Sequence, residues 1–188
     1  MDNIMNIKLK PGDILLTLVH GWLGNAIIRT QNMIDCETDI VNFSHAAIVL
    51  DECGNIFESS LKIGANHISK YENVPVLIAR HKDMEDWKFK KGIGEALDNE
   101  GMFYPLHRLF FILFGISAIR TDWPVCSELV AQFLLKSGID SDLIRKGKKY
   151  SKWYGVSPDM IEDAVFRGEN WNVVYNGNWD SRLLSNKY

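Results

Sequence analysis

Three side chains that could take part in nucleophilic chemistry stand in distinctive local settings. Cys126 opens the amphipathic stretch CSELVAQFLLKSG, directly after a Trp-Pro-Val segment. His45 lies within the apolar stretch SHAAIVL, and Glu58 lies within IFESS. A thiol, an imidazole and a carboxylate can serve as a nucleophile, its base and the group that orients the base. We therefore treat Cys126, His45 and Glu58 as candidate catalytic residues.

The position of Cys126 favours a reactive thiol but also fits a core residue. A thiol attacks as its thiolate, and the free N–H groups at a helix N-terminus favour that anion and can hold an oxyanion. Pro124 is typical of the start of a helix. However, Cys126 shares one helix face with Val130, Phe133 and Leu134, and free cysteines are often buried. Position alone leaves both interpretations open.

His45 is the histidine whose setting best suits a base. Strand alternation places Phe43, His45, Ala47 and Val49 on one face, and the small alanine leaves room for a partner beside the ring. A histidine within a strand is also often a hydrogen-bonded core residue. His81 follows another predicted strand, and we expect it at the surface.

Glu58 is an acid within an apolar strand, and it would orient His45 only in one register of the predicted hairpin. A turn centred on Asp51-Glu52 places His45 and Glu58 directly opposite each other. A turn centred on Gly54 without a bulge places them on opposite faces of the sheet. An exposed position on an edge strand is the alternative interpretation of Glu58.

Other residues offer weaker alternatives at the same site. Ser60 and His67 are the alternative orienting groups for His45. A metal site formed by His45, His67 and Cys126 is less favoured, because no pair of these residues has the spacing typical of zinc ligands. We therefore expect neither a metal nor a cofactor.

The elements that must hold these residues predict an α+β fold. The strands cluster in the N-terminal half and the helices lie outside them. Strands are predicted over 13–19, 42–50, 56–60, 74–80 and 171–176, and helices over 21–34, 87–101, 126–137 and 156–166. Gly138 is expected to end the third helix and Ser157 to cap the fourth.

Composition limits the function classes. The chain has 188 residues, 46% of them hydrophobic and 24% charged, and we expect one domain over 1–188. A net charge of −3 argues against a nucleic-acid partner. Three widely spaced cysteines without a CxxC motif suggest a reducing compartment. With no apolar leader at the N-terminus, a cytoplasmic location is expected.

Two segments bear on lipid contact. Residues 109–119 form the most apolar run, which is too short to span a bilayer. We interpret it as a buried helix or, alternatively, as an apolar rim that touches lipid or a greasy substrate. Residues 145–152 hold five basic side chains, typical of a solvated loop, with an anionic surface as the alternative partner.

Taken together, the blocks PGDILLT, SHAAIVL, GNIFESS, GMFY, VCSELVAQFLLKSGI and VSPDMIEDA resemble the circularly permuted branch of the NlpC-like papain fold. Proteins similar to lecithin retinol acyltransferase belong to the same broad group. The resemblance covers roughly residues 11–165, and in this branch the strand histidine precedes the helix cysteine. It implies an antiparallel sheet or partial barrel packed against helices, with the cysteine at a helix N-terminus.

The resemblance also implies the residue roles and the reaction. Cys126 matches the nucleophile, His45 the general base and Glu58 the polar group that orients the histidine. Tyr104 matches a tyrosine often found between the strands and the cysteine helix, and substrate contact is the role expected for it. The implied activity is a cysteine hydrolase that cleaves an amide bond, including those of bacterial cell-wall peptides, through an acyl-enzyme. A lipid acyltransferase or thioesterase with peripheral membrane contact, and a non-catalytic binding protein, are the alternatives. The expected partner is a small peptide, amide or acyl substrate; the oligomeric state is left open.

Overall fold

Six strands form a single antiparallel sheet within the part of the chain that the computed structural model describes, residues 6–18, 42–103, 124–139 and 156–184. The strands are β1 (Ile14–Thr17), β2 (His45–Val49), β3 (Asn55–Ser59), β4 (Ile63–His67), β5 (Pro75–His81) and β6 (Trp171–Asn178). Their spatial order is β4-β3-β2-β1-β5-β6, and every pair of neighbours is antiparallel. The fold is therefore α+β, with an open sheet.

Three α-helices accompany this sheet in the described ranges: α1 (Asp86–Leu97), α2 (Cys126–Lys136) and α3 (Pro158–Arg167). The predicted end of α2 is confirmed, because Gly138 follows it with φ of 72°, a conformation that glycine adopts without strain. The Ser157 side chain accepts a hydrogen bond from the Met160 N–H at 3.2 Å, which confirms the predicted cap of α3.

The central strands of the sheet, β1, β2, β3 and β5, are largely buried, and their successive side chains point to opposite faces of the sheet. On one face, Ile14 and Leu16 pack in a core with the apolar residues of α2 and α3. On the other face, Leu15 packs in a second core with the segment before β1 and with Trp179 after β6. Burial on both faces explains why β1 and β5 appear in the sequence as nearly continuous apolar runs.

Several elements differ from the sequence-based expectations. β4 was not predicted, because only its first residue, Ile63, is buried. α1 ends at Leu97, and Gly101, its predicted end, lies in a turn with φ of 85°. His81 is buried against the Trp171 ring at a centroid distance of 5.0 Å, so its predicted surface position was wrong.

Some predictions concern residues outside the described ranges. These are the helix over 21–34, Tyr104, the apolar run over 109–119 and the basic segment over 145–152. Among the described helices, none combines the length and the apolar character needed to cross a bilayer.

Candidate active site

The hairpin of β2 and β3 places His45 and Glu58 on one face of the sheet. Glu58 pairs with Ala47, two residues along β2 from His45. Neither predicted register is therefore correct, although a shift of two residues keeps the same side chains on the same face. His45 begins β2 and Glu58 is next to last in β3, so both lie at the same end of the sheet.

The turn between β2 and β3 accounts for this register. Asp51 Oδ1 accepts hydrogen bonds from the Cys53 N–H at 2.9 Å and from the Asn55 N–H at 3.1 Å. Gly54 supplies a φ of 93°, which costs glycine little. An aspartate that accepts backbone N–H groups in this way fixes the shape of a turn. The turn consequently spans residues 51–54, closed by the Leu50 N–H bonded to the Asn55 carbonyl at 2.7 Å.

His45 donates directly to the Glu58 carboxylate. His45 Nε2 lies 2.7 Å from Glu58 Oε2, and both side chains are buried. The strand start that carries His45 is itself fixed, because the Ser44 N–H donates to the Thr17 carbonyl at 3.0 Å. Since Nε2 donates to Glu58, Nδ1 is the ring nitrogen left to face a second partner.

Glu58 accepts hydrogen bonds from four side chains, although it is itself fully buried. Oε2 accepts from His45 and, at 2.5 Å, from the Tyr71 hydroxyl. Oε1 accepts from Asn66 Nδ2 at 2.8 Å and from the Lys70 ammonium. Burial alone would raise the pKa of Glu58, but the hydrogen bonds from His45, Lys70 and Tyr71 lower it to about 2. The carboxylate is therefore ionised at neutral pH.

Tyr71 completes the carboxylate's surroundings as a neutral donor. Its pKa is raised by burial and by the adjacent Glu58 charge, so its hydroxyl keeps its proton. Its ring centroid lies 6.1 Å from that of His45. Tyr71 therefore both packs near the imidazole and donates to the oxygen that receives the imidazole N–H.

Cys126 is the first residue of α2 and is only 3% exposed. Three hydrogen bonds fix the chain around it. The Ser59 hydroxyl donates to the Pro124 carbonyl at 3.1 Å, and the Ser127 hydroxyl donates to the Val156 carbonyl at 2.6 Å. Glu128 Oε2 accepts the Val125 N–H at 3.1 Å. The first of these bonds ties the start of α2 to the strand that carries Glu58.

His45 also interacts with Cys126, and this interaction shifts the pKa of the imidazole. Burial lowers the pKa of the ring, but the charge and hydrogen bond of Cys126, together with those of Glu58, outweigh burial and raise it to about 9. His45 thus lies between the Cys126 thiol and the Glu58 carboxylate. The three residues that the sequence singled out are brought together at one end of the sheet.

The alternative orienting group His67 lies elsewhere, and the sequence missed other contributors to the site. His67 Nε2 contacts the Cys53 carbonyl at 2.9 Å, and its Nδ1 contacts Ser69 Oγ at 2.7 Å. The missed residues are the donors to Glu58: Asn66, Lys70 and Tyr71. The available signal was Glu58 itself, because a buried carboxylate needs several donors.

Comparison with known proteins gives a likeness of fold. No family model and no curated protein matches the sequence. The crystal structure of the DUF1105 metalloprotein YiiX from Escherichia coli O157:H7 superposes with a TM-score of 0.60 at 16% identity, covering 92% of this chain and 99% of that one. This chain shares the fold of YiiX. At such low identity the likeness concerns the fold alone.

Proposed function

We propose that the protein is a cysteine-dependent acyl-transfer enzyme, acting as a hydrolase of amide bonds. The observation that carries the proposal is the position of His45, which contacts both the Cys126 thiol and the Glu58 carboxylate. Covalent acyl transfer requires a nucleophile, a base and a group that orients the base, in contact in that order.

The reaction begins with a proton moving from the Cys126 thiol to His45 Nδ1. The raised pKa of His45 favours the imidazolium at neutral pH, and Glu58 stabilises that cation through Nε2–H. The thiolate attacks the substrate carbonyl carbon and forms a C–S bond, and the carbonyl electron pair moves to oxygen. N–H groups at the start of α2 donate to this oxyanion.

Collapse of the tetrahedral intermediate breaks the C–N bond, and the His45 imidazolium protonates the departing amine. Water then attacks the thioester while His45 accepts its proton, and the C–S bond breaks. The products are a carboxylic acid and the free thiol of Cys126, so no outside oxidant or reductant is needed.

The order of the elements supports a permuted NlpC-like papain arrangement. His45 lies on a strand that precedes the cysteine helix in the chain, and the likeness to YiiX is consistent with that architecture at the level of fold. Members of the family that this arrangement resembles cleave amide bonds, including those of bacterial wall peptides, or transfer acyl groups from lipids, and a cell-wall peptide is our first choice of substrate.

A lipid ester or thioester is the second candidate substrate. Leu61 and Phe103 are 74% and 70% exposed. Residue 61 follows the strand that Ser59 ties to Pro124, and Lys62 forms a bridge with Phe103. Exposed apolar side chains such as these would suit an acyl chain.

YiiX is described as a metalloprotein, and the described residues of this chain do not fit a metal ion. Within those ranges, no group of three or more His, Cys, Asp or Glu side chains is arranged to hold one. Glu58 is already engaged by four donors, and His45 Nε2 is one of them.

Acyl capture tests the proposed function. The protein is incubated separately with wall-peptide fragments, with phospholipid vesicles and with an activated ester, and the modified residue is located by mass spectrometry. We expect acylation of Cys126 by the activated ester, and its loss in a His45→Gln variant. A peptide adduct supports the amidase, whereas a fatty acyl adduct favours the lipid enzyme. Acylation of the exposed Cys53 with none at Cys126 would indicate a non-catalytic protein.

A further inference from the structure

We propose that Lys70 is a positioning residue for this site: it holds Glu58 Oε1 so that Oε2 faces His45, and its positive charge limits how strongly Glu58 retains the proton on His45. The inference rests on the proposed function, because it concerns how readily His45 can release that proton to a leaving group.

The two oxygens of Glu58 have separate partners. Oε2 receives His45 Nε2 at 2.7 Å and the Tyr71 hydroxyl at 2.5 Å. Oε1 receives Asn66 Nδ2 at 2.8 Å and the Lys70 ammonium. A carboxylate held at both oxygens cannot rotate without breaking hydrogen bonds, so the oxygen that meets His45 is fixed.

The charges around Glu58 are unequal. On β2, His45 is a cation when protonated. In the turn after β4, Lys70 supplies a second cation, and Tyr71 contributes a neutral hydroxyl. Asn66 on β4 is also neutral, and Cys126 on α2 lies beyond His45. The Glu58 carboxylate therefore contacts two cations, Lys70 and protonated His45, whose like charges repel each other.

This repulsion matters for turnover. The imidazolium must give its proton to the leaving amine, and a carboxylate paired with His45 alone would hold that proton more tightly. The Lys70 side chain is 37% exposed and reaches the buried carboxylate from the surface. Its charge keeps Glu58 ionised while weakening the hold of Glu58 on the imidazolium.

A Lys70→Gln variant tests the inference, with deprotonation of His45 followed by NMR. Lys70 and His45 contact opposite oxygens of the same carboxylate, so removing the Lys70 charge should raise the deprotonation midpoint by roughly half a pH unit, the order expected for a unit charge one carboxylate away in water. Lys70→Arg, which keeps the charge, should leave the midpoint near that of the wild type.

Lys136→Gln is the matched control, since Lys136 is 42% exposed and pairs with Glu95 at the surface. No change of midpoint in Lys70→Gln, or an equal change in Lys136→Gln, would overturn the inference. Should Lys70→Gln not fold, trace acetylation of the folded wild-type protein tests the contact itself. Lys70 should then react more slowly than the exposed Lys91, and equal rates would contradict the proposal.

The same experiment separates this inference from the proposed function. A midpoint that rises in Lys70→Gln, in a protein whose Cys126 takes no acyl group, supports the role of Lys70 and rejects the enzyme. An acylated Cys126 with an unchanged His45 midpoint supports the enzyme and rejects the role of Lys70.

Discussion

Replacing Glu58 by glutamine tests how much the buried carboxylate contributes. The hydrogen bonds and charges around Glu58 lower its pKa from 4.5 to about 2. A pKa displaced by one is worth about 1.4 kcal/mol, so the ionised carboxylate stabilises the folded protein by roughly 3 kcal/mol at neutral pH. Glu58→Gln should lose about that much, because glutamine has the same shape without the charge.

The lowered pKa of Glu58 determines how the stability loss in Glu58→Gln changes with pH. The folded pKa lies below the unfolded one, so the stabilisation is fully present above pH 4.5 and is lost as pH falls through about 2. Urea unfolding of wild-type and Glu58→Gln proteins at pH 7, 5, 4 and 3 measures the difference. The gap between the two proteins should be largest at pH 5 to 7 and should narrow steadily toward pH 3.

Glu95→Gln is the control for this experiment. Glu95 pairs with Lys136 at the surface, and such pairs contribute at most about 1 kcal/mol. If Glu58→Gln lowered the unfolding free energy no more than Glu95→Gln at pH 7, or by the same amount at pH 3 as at pH 7, the result would contradict an ionised Glu58 that stabilises the fold.

Three further predictions concern the site and its supports. Ser59→Ala should slow alkylation of the cysteine at the start of α2 several-fold. Ser137→Ala also removes a buried hydroxyl donor but should leave the alkylation rate unchanged, and each variant should lower the unfolding free energy by about 1 kcal/mol. The pKa of His45 is raised from 6.5 to about 9, so the protonated ring stabilises the folded protein fully below pH 6.5, and this stabilisation is lost as pH rises through about 9. The difference in unfolding free energy between wild-type and His45→Gln proteins should therefore disappear above pH 9, and a difference that stays constant with pH would contradict the raised pKa. Gly92→Ala should destabilise α1 by about 1 to 3 kcal/mol, because its Cβ would lie 2.1 Å from the Ser137 hydroxyl oxygen. Gly94→Ala on the same helix meets open space and should stabilise by up to about 1 kcal/mol; thermal melts that rank the two variants equally would contradict this packing.

The elements that carry their own local signals could be predicted from the sequence. The helix beginning at Cys126 combines apolar periodicity with Gly138 at its end, and α3 has Ser157 and Pro158 at its start. β2 was predicted as well, although the strand begins only at His45. Phe43, expected on the His45 face, instead packs in the core on the helix-bearing face. Phe43 precedes β2, so its side chain does not follow the alternation of that strand.

The contacts that depend on distant parts of the chain were less predictable. The β2–β3 register follows from the Asp51 side chain together with Gly54, and both alternatives drawn from turn position alone were wrong. The outward residues of β4 give no alternating pattern from which this strand could be predicted. Lys70 and Tyr71 contact Glu58 from the turn that follows β4. Their polar types gave no indication of which acid they would meet.

The rate of iodoacetamide alkylation at Cys126, compared with Cys53, tests whether His45 activates the thiol at the start of α2. Accessibility alone would make Cys53 the faster thiol, since it is exposed and Cys126 is buried. We expect the opposite order between pH 6 and 7, and we expect His45→Gln to restore the order set by exposure. Slower alkylation of Cys126 than of Cys53 in the wild-type protein, unchanged by His45→Gln, would contradict it.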